Sequence, residues 1–268
     1  MPPSPADWRL PPGVNRGLWD YLHDPQIARG YDASLEHSSL FRADLQFCRR
    51  HFAQPGRLID LGCGTGRLAV AFAQRGDDVL AVDLSEEMLR VTGEKAAAAG
   101  VGVRRLKANL VELDVLADGR FDYAACLFST LGMVAGAAER RRVIGHAHRL
   151  LRPGGRFVLH VHNRWFNCWD PQGRRWLVGD VLRSLTGSAA VGDRQQPPHQ
   201  GIAGLTLHLF TRREAVRLLR EAGFRIVEVQ PVGLGADARL RWTWWFGWLR
   251  AYGYLIAAER PAPEGQGG

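Results

Sequence analysis

Three glycines at alternate positions follow a short apolar run and form the first chemically informative feature of the chain. The run 58–61 is followed by Gly62, Gly64 and Gly66. Glycine has no Cβ, so a backbone built from it can turn sharply and approach a ligand closely. The helical pattern that follows would direct its N-terminal N–H groups and its positive dipole end at that ligand. The loop therefore predicts a site for a ligand with a polar or anionic group.

A carboxylate ends the next apolar run, at Asp83, and a second one, Asp60, stands just before the glycines. A carboxylate at a strand end can accept hydrogen bonds from ribose hydroxyls. The glycine spacing is G-x-G-x-G, and residue 67 is Arg, whereas a dinucleotide-binding loop has the spacing G-x-G-x-x-G. Together these features indicate a nucleotide-type cofactor and disfavour a nicotinamide dinucleotide.

Two histidines are candidate proton acceptors. His160 and His162 end a predicted strand over 156–162, and their spacing places both side chains on one face of the sheet. Imidazole titrates near neutral pH, so it can take a proton from a hydroxyl or ammonium nucleophile. We favour His162 because it lies nearer the strand end, where open α/β sheets bind ligands. The alternative is that both are hydrogen-bonded packing residues.

Alternating strands and helices must position these side chains, which predicts a parallel sheet covered on both faces. Strands are predicted at 57–61, 78–83, 103–107, 121–128, 156–162, 224–230 and 252–259. Helices are predicted at 18–28, 35–52, 65–75, 86–99, 137–151 and 211–222. The Pro-rich residues 1–16 are expected to be loosely held.

The motifs resemble those of the class I S-adenosylmethionine (SAM)-dependent methyltransferases. LIDLGCGTG at 58–66 is similar to the first motif of that family, and VDLSEEM at 82–88 is similar to the second. Further similar pieces stand at 108–110, 121–123 and 151–157, so the resemblance covers roughly residues 57 to 163 in the family's order.

The resemblance implies a Rossmann-like α/β fold with a seven-stranded, mostly parallel sheet in the order 3-2-1-4-5-7-6 and helices on both faces. Its last strand would lie antiparallel beside the fifth. Residues 1–56 would form a tail and an N-terminal helical lid, and residues 57–268 the SAM-binding domain. An insertion after strand 5, at 163–208, would form a cap over the acceptor.

The resemblance also assigns the cofactor contacts. Asp60 and the loop residues Gly62, Cys63, Gly64 and Gly66 would border the methionine part of SAM, and Asp83 would hold the ribose. Leu84, Met88, Asn109 and Leu110 would surround the adenine, Phe128 would face the sulfonium, and Tyr31 would reach the methionine end from the lid. Many relatives have Asp where Asn109 stands, but its amide oxygen can still accept a hydrogen bond. The alternative is a fold remnant that binds no nucleotide.

Aromatic and arginine side chains near the start of the cap are the candidate acceptor contacts, and they are Arg164, Trp165, Trp169 and Arg175. Such side chains can stack on a planar acceptor and clamp an acidic group, or they can simply anchor a lid. The Gly- and Pro-containing stretch 187–204 is predicted to be a mobile loop.

A second aromatic run, 239–250, combines Trp, Phe and Arg. Three interpretations stay open for it: a connection whose rings pack over the sheet, a peripheral contact with a membrane interface, or a wall of the acceptor pocket. It is too short and too charged to span a bilayer, so no integral membrane association is expected.

Composition fits a single enzyme domain with insertions. The chain has 268 residues, 46% hydrophobic content and a formal net charge of +8. Four widely spaced cysteines, an N-terminus without a signal-peptide pattern and histidines without metal-ligand spacing predict a cytoplasmic protein with free thiols and no metal.

Four functions are weighed for this domain. A methyltransferase acting on an O, N or C nucleophile of a small molecule is preferred. The positive charge keeps an RNA (tRNA) or protein methyltransferase open as the second choice. An NAD(P)-dependent oxidoreductase and a non-catalytic SAM-fold partner protein are less favoured. The acceptor and the oligomeric state are left open.

Overall fold

Nine strands form a large sheet and a small hairpin in the part of the chain that the computed structural model describes, residues 5–24, 26–27, 30, 39–188, 190–196 and 204–262. The strands are β1 (Arg57–Leu61), β2 (Asp78–Asp83), β3 (Arg104–Lys107), β4 (Phe121–Cys126), β5 (Leu151–His162), β6 (Asp193–Gln195), β7 (Thr206–His208), β8 (Arg225–Val232) and β9 (Gly253–Glu259).

The large sheet has the order β3-β2-β1-β4-β5-β9-β8, and β9 runs antiparallel to both of its neighbours. Strands β6 and β7 pair only with each other, inside the cap. The remaining seven strands therefore have the predicted order 3-2-1-4-5-7-6, and the predicted Rossmann-like α/β fold is confirmed.

Helices cover both faces of the sheet, because the apolar strands have no polar face to expose. Neighbouring residues of β1 show this: Leu58 packs with Phe47 and Phe72 on one face, and Ile59 packs with Ile144 on the other. The helices are α1 (Arg16–His23), α2 (Ser39–His51), α3 (Arg67–Ala73), α4 (Glu86–Ala98), α5 (Thr130–Met133), α6 (Ala137–Leu150), α7 (Pro171–Leu185), α8 (Arg212–Glu221) and α9 (Gly247–Arg250).

Strand β4 ends two residues earlier than predicted, because the backbone turns into α5. Phe128 and Ser129 have φ angles of 51° and 61°, in the left-handed region that residues with a side chain seldom adopt. The sequence pattern gives no sign of this turn, since an apolar Phe128 is as compatible with a strand as with a tight bend.

The N-terminal tail is packed rather than loosely held in its described part. The Asn109 side-chain amide donates to the carbonyl oxygen of Pro12 at 2.9 Å. The backbone N–H of Ala135 donates to the carbonyl oxygen of Gly13 at 2.8 Å. Val14 is buried. The tail is thus tied to the sheet edge by hydrogen bonds to residues about a hundred positions away.

The lid and the cap meet in direct backbone contact. A Cβ added to Gly17 of α1 would stand 2.2 Å from the carbonyl oxygen of Gly204 in the cap. The predicted mobile stretch 187–204 contains β6 in its described part, and residues 189 and 197–203 of it lie outside the described residues. Glycine at position 17 therefore allows α1 to close onto the cap.

A buried charge network fastens the cap hairpin to the rest of the domain. His208 Nδ1 lies 2.6 Å from Asp193 Oδ1, and His208 Nε2 lies 2.7 Å from Glu214 Oε1 at the start of α8. Arg140 approaches Asp193 at 3.8 Å. Burial alone would lower the pKa of His208, but its hydrogen bonds to the two carboxylates raise it above the ordinary value.

We expect His208→Gln to lower the free energy of unfolding by about 3 kcal/mol at pH 6, because it breaks a buried ion pair and leaves carboxylates without their cation. A histidine whose pKa is higher in the folded than in the unfolded state contributes its full stabilisation below the unfolded-state pKa of about 6.5. That stabilisation is lost as the pH rises through the folded-state pKa. The loss should therefore be smaller at pH 9 than at pH 6, as measured by urea denaturation.

His51→Gln is the matched control. His51 lies 2.8 Å from Glu228, whose side chain is 40% exposed, and burial lowers the pKa of His51. We expect a small loss that does not shrink toward pH 9. If the loss in His208→Gln were equal at both pH values, the protonated histidine would not be what holds the hairpin.

Candidate cofactor and acceptor site

A cavity of about 460 Å³ lies along the carboxyl edge of the large sheet. Its walls come from the glycine loop after β1, the end of β2, the turn after β4, the end of β5, the lid helix α1 and the cap hairpin. Open α/β sheets bind their ligands at this edge, where the strand order reverses between β1 and β4.

The glycine loop forms one wall, and its shape requires glycine. Gly62 and Gly66 both have a φ of 75°. A Cβ on Gly62 would stand 2.3 Å from Thr130 Cγ2, and a Cβ on Gly66 would stand 2.5 Å from Thr92 Cγ2. Gly62 and Gly64 line the cavity. Cys63 and Gly66, which the resemblance assigns to the cofactor, do not line the cavity. They shape the loop behind its wall.

Asp83 joins the loop to the end of β2. Its Oδ2 accepts the backbone N–H of Gly64 at 2.9 Å, and its Oδ1 accepts that of Ser85 at 2.8 Å. Burial raises the pKa of this carboxyl group, and the backbone N–H groups act in the opposite direction. A carboxylate has about four acceptor positions, so each oxygen can still accept a hydroxyl from the cavity.

Asp60 lies behind the loop rather than in the cavity wall. It is buried, and its Oδ2 accepts no hydrogen bond from the described residues. Burial and the nearby charge of Asp83 raise the pKa of Asp60 to about 7. A buried acceptor of this kind fits a ligand that brings a hydrogen-bond donor or a positive charge to the loop.

Apolar side chains line the next part of the cavity, beside Asp83. Leu84, Met88, Leu110 and Asn109 are there, and these are the residues that the resemblance assigns to the adenine. The Asn109 amide group is already used for structure, because its Oδ1 accepts the backbone N–H of Val111 at 3.1 Å and its Nδ2 donates to the tail. Its Oδ1 can accept one further hydrogen bond.

Phe128 follows β4 and lies next to His162. It lines the cavity wall, and its ring centroid is 4.6 Å from that of Phe41 and 5.7 Å from that of His162. The left-handed backbone at Phe128 and Ser129 is strained by roughly 1–2 kcal/mol per residue. Strain of this kind is found at functional sites, where the surrounding structure holds it in place.

The two predicted bases have different surroundings. His162 lines the cavity, and its Nε2 is buried with no hydrogen-bond partner among the described residues. Burial and the neighbouring His160 lower the pKa of His162 to about 3, so its imidazole is neutral near pH 7. His160 is fully buried and does not line the cavity; its Nδ1 lies 2.7 Å from Asp44 Oδ1 of α2. Only His162 is placed to meet an acceptor.

A group of apolar side chains, which we call the apolar compartment, forms much of the remaining wall. They come from the lid, from α5, from the cap and from the segment before β9, and among them are Leu18, Met133, Leu205, Leu207 and Tyr252. Gln196 of the cap is a polar member of this wall. Leucine alternates with polar residues over 205–209, which is typical of a short strand, but this alternation does not indicate that Leu205 and Leu207 line a ligand cavity.

The four predicted acceptor contacts do not line this cavity. Arg164 is buried and forms an ion pair with Asp180 of α7, and the ring of Trp165 packs edge-on against Trp248 at 5.7 Å. Trp169 Nε1 donates to the carbonyl oxygen of Leu249 at 3.0 Å, and Arg175 is exposed on α7. Arg164, Trp165 and Trp169 therefore anchor the cap. Tyr31, predicted to reach the cofactor, lies outside the described residues.

Comparison with known proteins agrees with this geometry. A family model described as a methyltransferase domain matches residues 58–155. Nocamycin O-methyltransferase from Saccharothrix syringae is 31% identical over 222 residues, which cover 76% of this chain and 73% of that protein. The chain belongs to the class I SAM-dependent methyltransferases. SAM is the cofactor of this family, and the glycine loop, Asp83 and the apolar pocket beside it fit that cofactor.

Two other relatives match this methyltransferase over a shorter stretch. Demethylmenaquinone methyltransferase from Thermus thermophilus is 35% identical over 141 residues, which cover 50% of this chain. The chain spans 61% of the length of that protein and 57% of the length of a putative methyltransferase from Geobacillus.

A solved structure has the same fold over nearly its whole length. It is the 1,6-didemethyltoxoflavin-N1-methyltransferase of Burkholderia thailandensis, crystallised with 1,6-didemethyltoxoflavin and S-adenosylhomocysteine (SAH). It is 22% identical, with a TM-score of 0.63 and coverage of 97% of this chain and 95% of the other. At this identity the likeness establishes the fold, and it extends through the lid and cap regions that the family model does not match.

Proposed function

We propose that this methyltransferase moves the methyl group of SAM to a small, largely apolar acceptor bound between His162 and the cap. The observation that carries the proposal is a single cavity whose wall combines Asp83 and the glycine loop with His162 and the apolar compartment. His162 lies beside Tyr252 of that compartment, with the ring centroids 4.7 Å apart. The lid and the cap close over it through the contact between Gly17 and Gly204.

The cofactor end would be held by the loop and the end of β2. Gly62 and Gly64 would lie against the methionine part and Asp83 would accept the ribose hydroxyls, while Leu84 and Met88 would pack on the adenine. Asp60 would act from behind the loop, where its buried oxygen favours a positive charge on the ligand. Bound there, SAM supplies an electrophilic methyl group on a sulfonium.

His162 would take the proton of an acceptor hydroxyl at Nε2. Its neutral imidazole has the free electron pair that this requires. A protonated imidazole is disfavoured in this buried position, but the transfer removes one positive charge from the sulfonium as it adds one to the histidine. The apolar walls would exclude water and hold the acceptor in line, which is the larger share of catalysis in a reaction whose methyl group is already activated.

The cavity wall argues against a polymer as the acceptor. No Lys or Arg lines it in the described residues, whereas an RNA phosphate backbone is bound through such side chains. Cavities of a few hundred Å³ suit small ligands. Relatives named for nocamycin and demethylmenaquinone support the same substrate class, and the nocamycin enzyme's name supports a hydroxyl acceptor.

Filling the apolar compartment tests the proposal. We expect Leu207→Trp to lower methyl transfer to small apolar hydroxylated acceptors at least about tenfold, because the larger ring occupies acceptor space in a packed wall. SAH affinity should stay unchanged. SAH release is measured over a panel of phenols and quinols with tRNA as a separate arm, and calorimetry with SAM, SAH and NADH measures the cofactor site.

Leu185→Trp is the matched control, since Leu185 is exposed on α7 and the same ring added there should change neither quantity. Methyl transfer to tRNA with none to the panel would contradict the proposal. So would equal transfer by Leu207→Trp and the unchanged protein.

A further inference from the structure

The segment that connects β8 to β9 carries a cluster of exposed aromatic rings. We call residues 233–250 the Trp-Arg loop. Its exposed side chains are Trp242 (64%), Trp244 (83%), Trp245 (55%), Phe246 (55%) and Trp248 (50%). The rings neither pack over the sheet nor line the catalytic cavity, which removes two of the three interpretations left open by the sequence.

The loop is held in this conformation by specific hydrogen bonds. Arg250 Nη1 donates to the carbonyl oxygens of Arg241, Trp242 and Trp245 at 3.2 to 3.3 Å. Trp242 and Phe246 have φ angles of 50° and 45°, which are strained for residues with a side chain. Burying these large apolar rings would stabilise the fold, but the strained backbone keeps them exposed. This combination indicates a binding role for the loop.

Arginines surround the rings. Arg239 and Arg241 line a groove of about 470 Å³ together with Trp169 and Trp242. Residues 233–250 contain three arginines and one acidic residue, Asp237, and the whole chain is basic. Trp rings beside Arg guanidinium groups suit the boundary between phospholipid headgroups and acyl chains, where the ring enters the bilayer and the cation meets a phosphate.

The loop lies at the edge of the sheet that holds the catalytic cavity. Strand β8 runs parallel to β5, since both pair antiparallel with β9, so the segment after β8 emerges where β5 ends in His162. Tyr252 lines the cavity, and its ring centroid is 5.2 Å from that of Phe166, which lines the groove.

We propose that the Trp-Arg loop docks this methyltransferase on an anionic phospholipid surface. The charge of the loop opposes a second copy of the chain as the occupant, because a twofold contact would bring the arginines of both copies together. No helix in the described residues is long and apolar enough to cross a membrane, so contact would be peripheral. Docking would bring the acceptor end of the cavity near a source of apolar acceptors, a consequence that rests on the proposed function.

Vesicle sedimentation tests the docking without an acceptor or turnover. The full chain is mixed with vesicles of phosphatidylcholine alone, or of three parts phosphatidylcholine to one part phosphatidylglycerol. We expect binding to the mixed vesicles, weaker binding to phosphatidylcholine, and a fall in binding as salt rises. Free inorganic phosphate should not compete, because the rings require a bilayer.

Two double variants separate the rings from the charges. Trp244→Ser with Trp245→Ser should weaken binding about tenfold or more, and its control is Trp8→Ser with Val115→Ser, both exposed elsewhere. Arg239→Gln with Arg241→Gln should weaken binding about thirtyfold, at about 1 kcal/mol per arginine. Its control is Arg141→Gln with Arg213→Gln, which removes the same charge from exposed positions on α6 and α8.

Several outcomes would overturn the docking proposal. The first is that the protein does not bind mixed vesicles, and the second is that a double variant and its control weaken binding equally. The third is that the rings mediate self-association, or binding of an acidic protein, without any binding to vesicles. The arginine pair keeps the test decisive if the ring variant fails to fold. Calorimetry with SAH on the same proteins reports the cofactor site, so a failure of docking is distinguishable from a failure of the proposed function.

Discussion

Asp83→Ala is expected to weaken SAM and SAH binding by about 100-fold or more. Hydrogen bonds to a charged group contribute roughly 1.5–3 kcal/mol each, and in the proposed site the carboxylate would accept two from a ribose. The substitution also removes the acceptor that fixes the N–H groups of Gly64 and Ser85, so the loop loses part of its ordered shape. Calorimetric titration with SAH measures the effect, and thermal unfolding checks that the variant folds.

Asp78→Ala is the matched control, because Asp78 stands at the opposite end of β2, where it is exposed and pairs with Arg104 at 2.8 Å. Its SAH affinity should equal that of the unchanged protein. Asp83→Asn should fall between the two, since an amide keeps one acceptor oxygen. Unchanged affinity in Asp83→Ala would remove Asp83 from the cofactor site and with it the assignment of the glycine loop.

The glycine loop could be predicted because its backbone limits the residue types. At Gly62 the φ angle is 75°, and an added Cβ would stand 2.3 Å from Thr130 Cγ2, so the position admits only glycine. The limits of β1 and β2 were predictable for a similar reason, whereas β5 begins at Leu151, five residues before its predicted start. Runs such as 58–61 and 79–82 are buried on both faces, and Pro, Gly or charged residues end them.

The acceptor end could not be predicted because its wall is assembled by contacts between distant segments. Arg164 and Trp169 have the residue types of a binding site. However, Arg164 forms an ion pair with Asp180, and the Trp169 indole N–H donates to the carbonyl oxygen of Leu249. The residues that do line the wall, such as Leu207, lie on a three-residue strand. The position of this strand depends on the buried pair of His208 with Glu214. The local sequence does not indicate that these two residues pair.

His162→Ala is expected to lower kcat by about 10²- to 10⁴-fold for a hydroxyl acceptor, the usual contribution of a positioned proton acceptor. SAH affinity should stay within about twofold, because Nε2 has no partner among the described residues and, in the proposed function, the histidine faces the acceptor rather than the cofactor. Steady-state kinetics with SAH release measures kcat, and calorimetry measures the affinity.

His148→Ala is the control for this substitution. Burial lowers the pKa of His148 as well, but its ring packs against Phe224 at 4.9 Å, away from the cavity. Its kcat should match that of the unchanged protein. Full activity in His162→Ala would return that histidine to a packing role, and a loss of SAH affinity equal to the loss of kcat would make it a cofactor contact.

The pH dependence separates a base from a residue that only shapes the wall. The pKa of His162 is lowered to about 3, so the imidazole stays neutral and able to accept a proton from pH 9 down to pH 5. An ordinary histidine would lose this ability as pH falls through about 6.5. We therefore expect no loss of kcat from His162 protonation between pH 8 and pH 5.5. A fall in kcat centred near 6.5 that disappears in His162→Ala would mean that the histidine is solvated during turnover, and the closed, water-excluding site proposed for this enzyme would then be wrong.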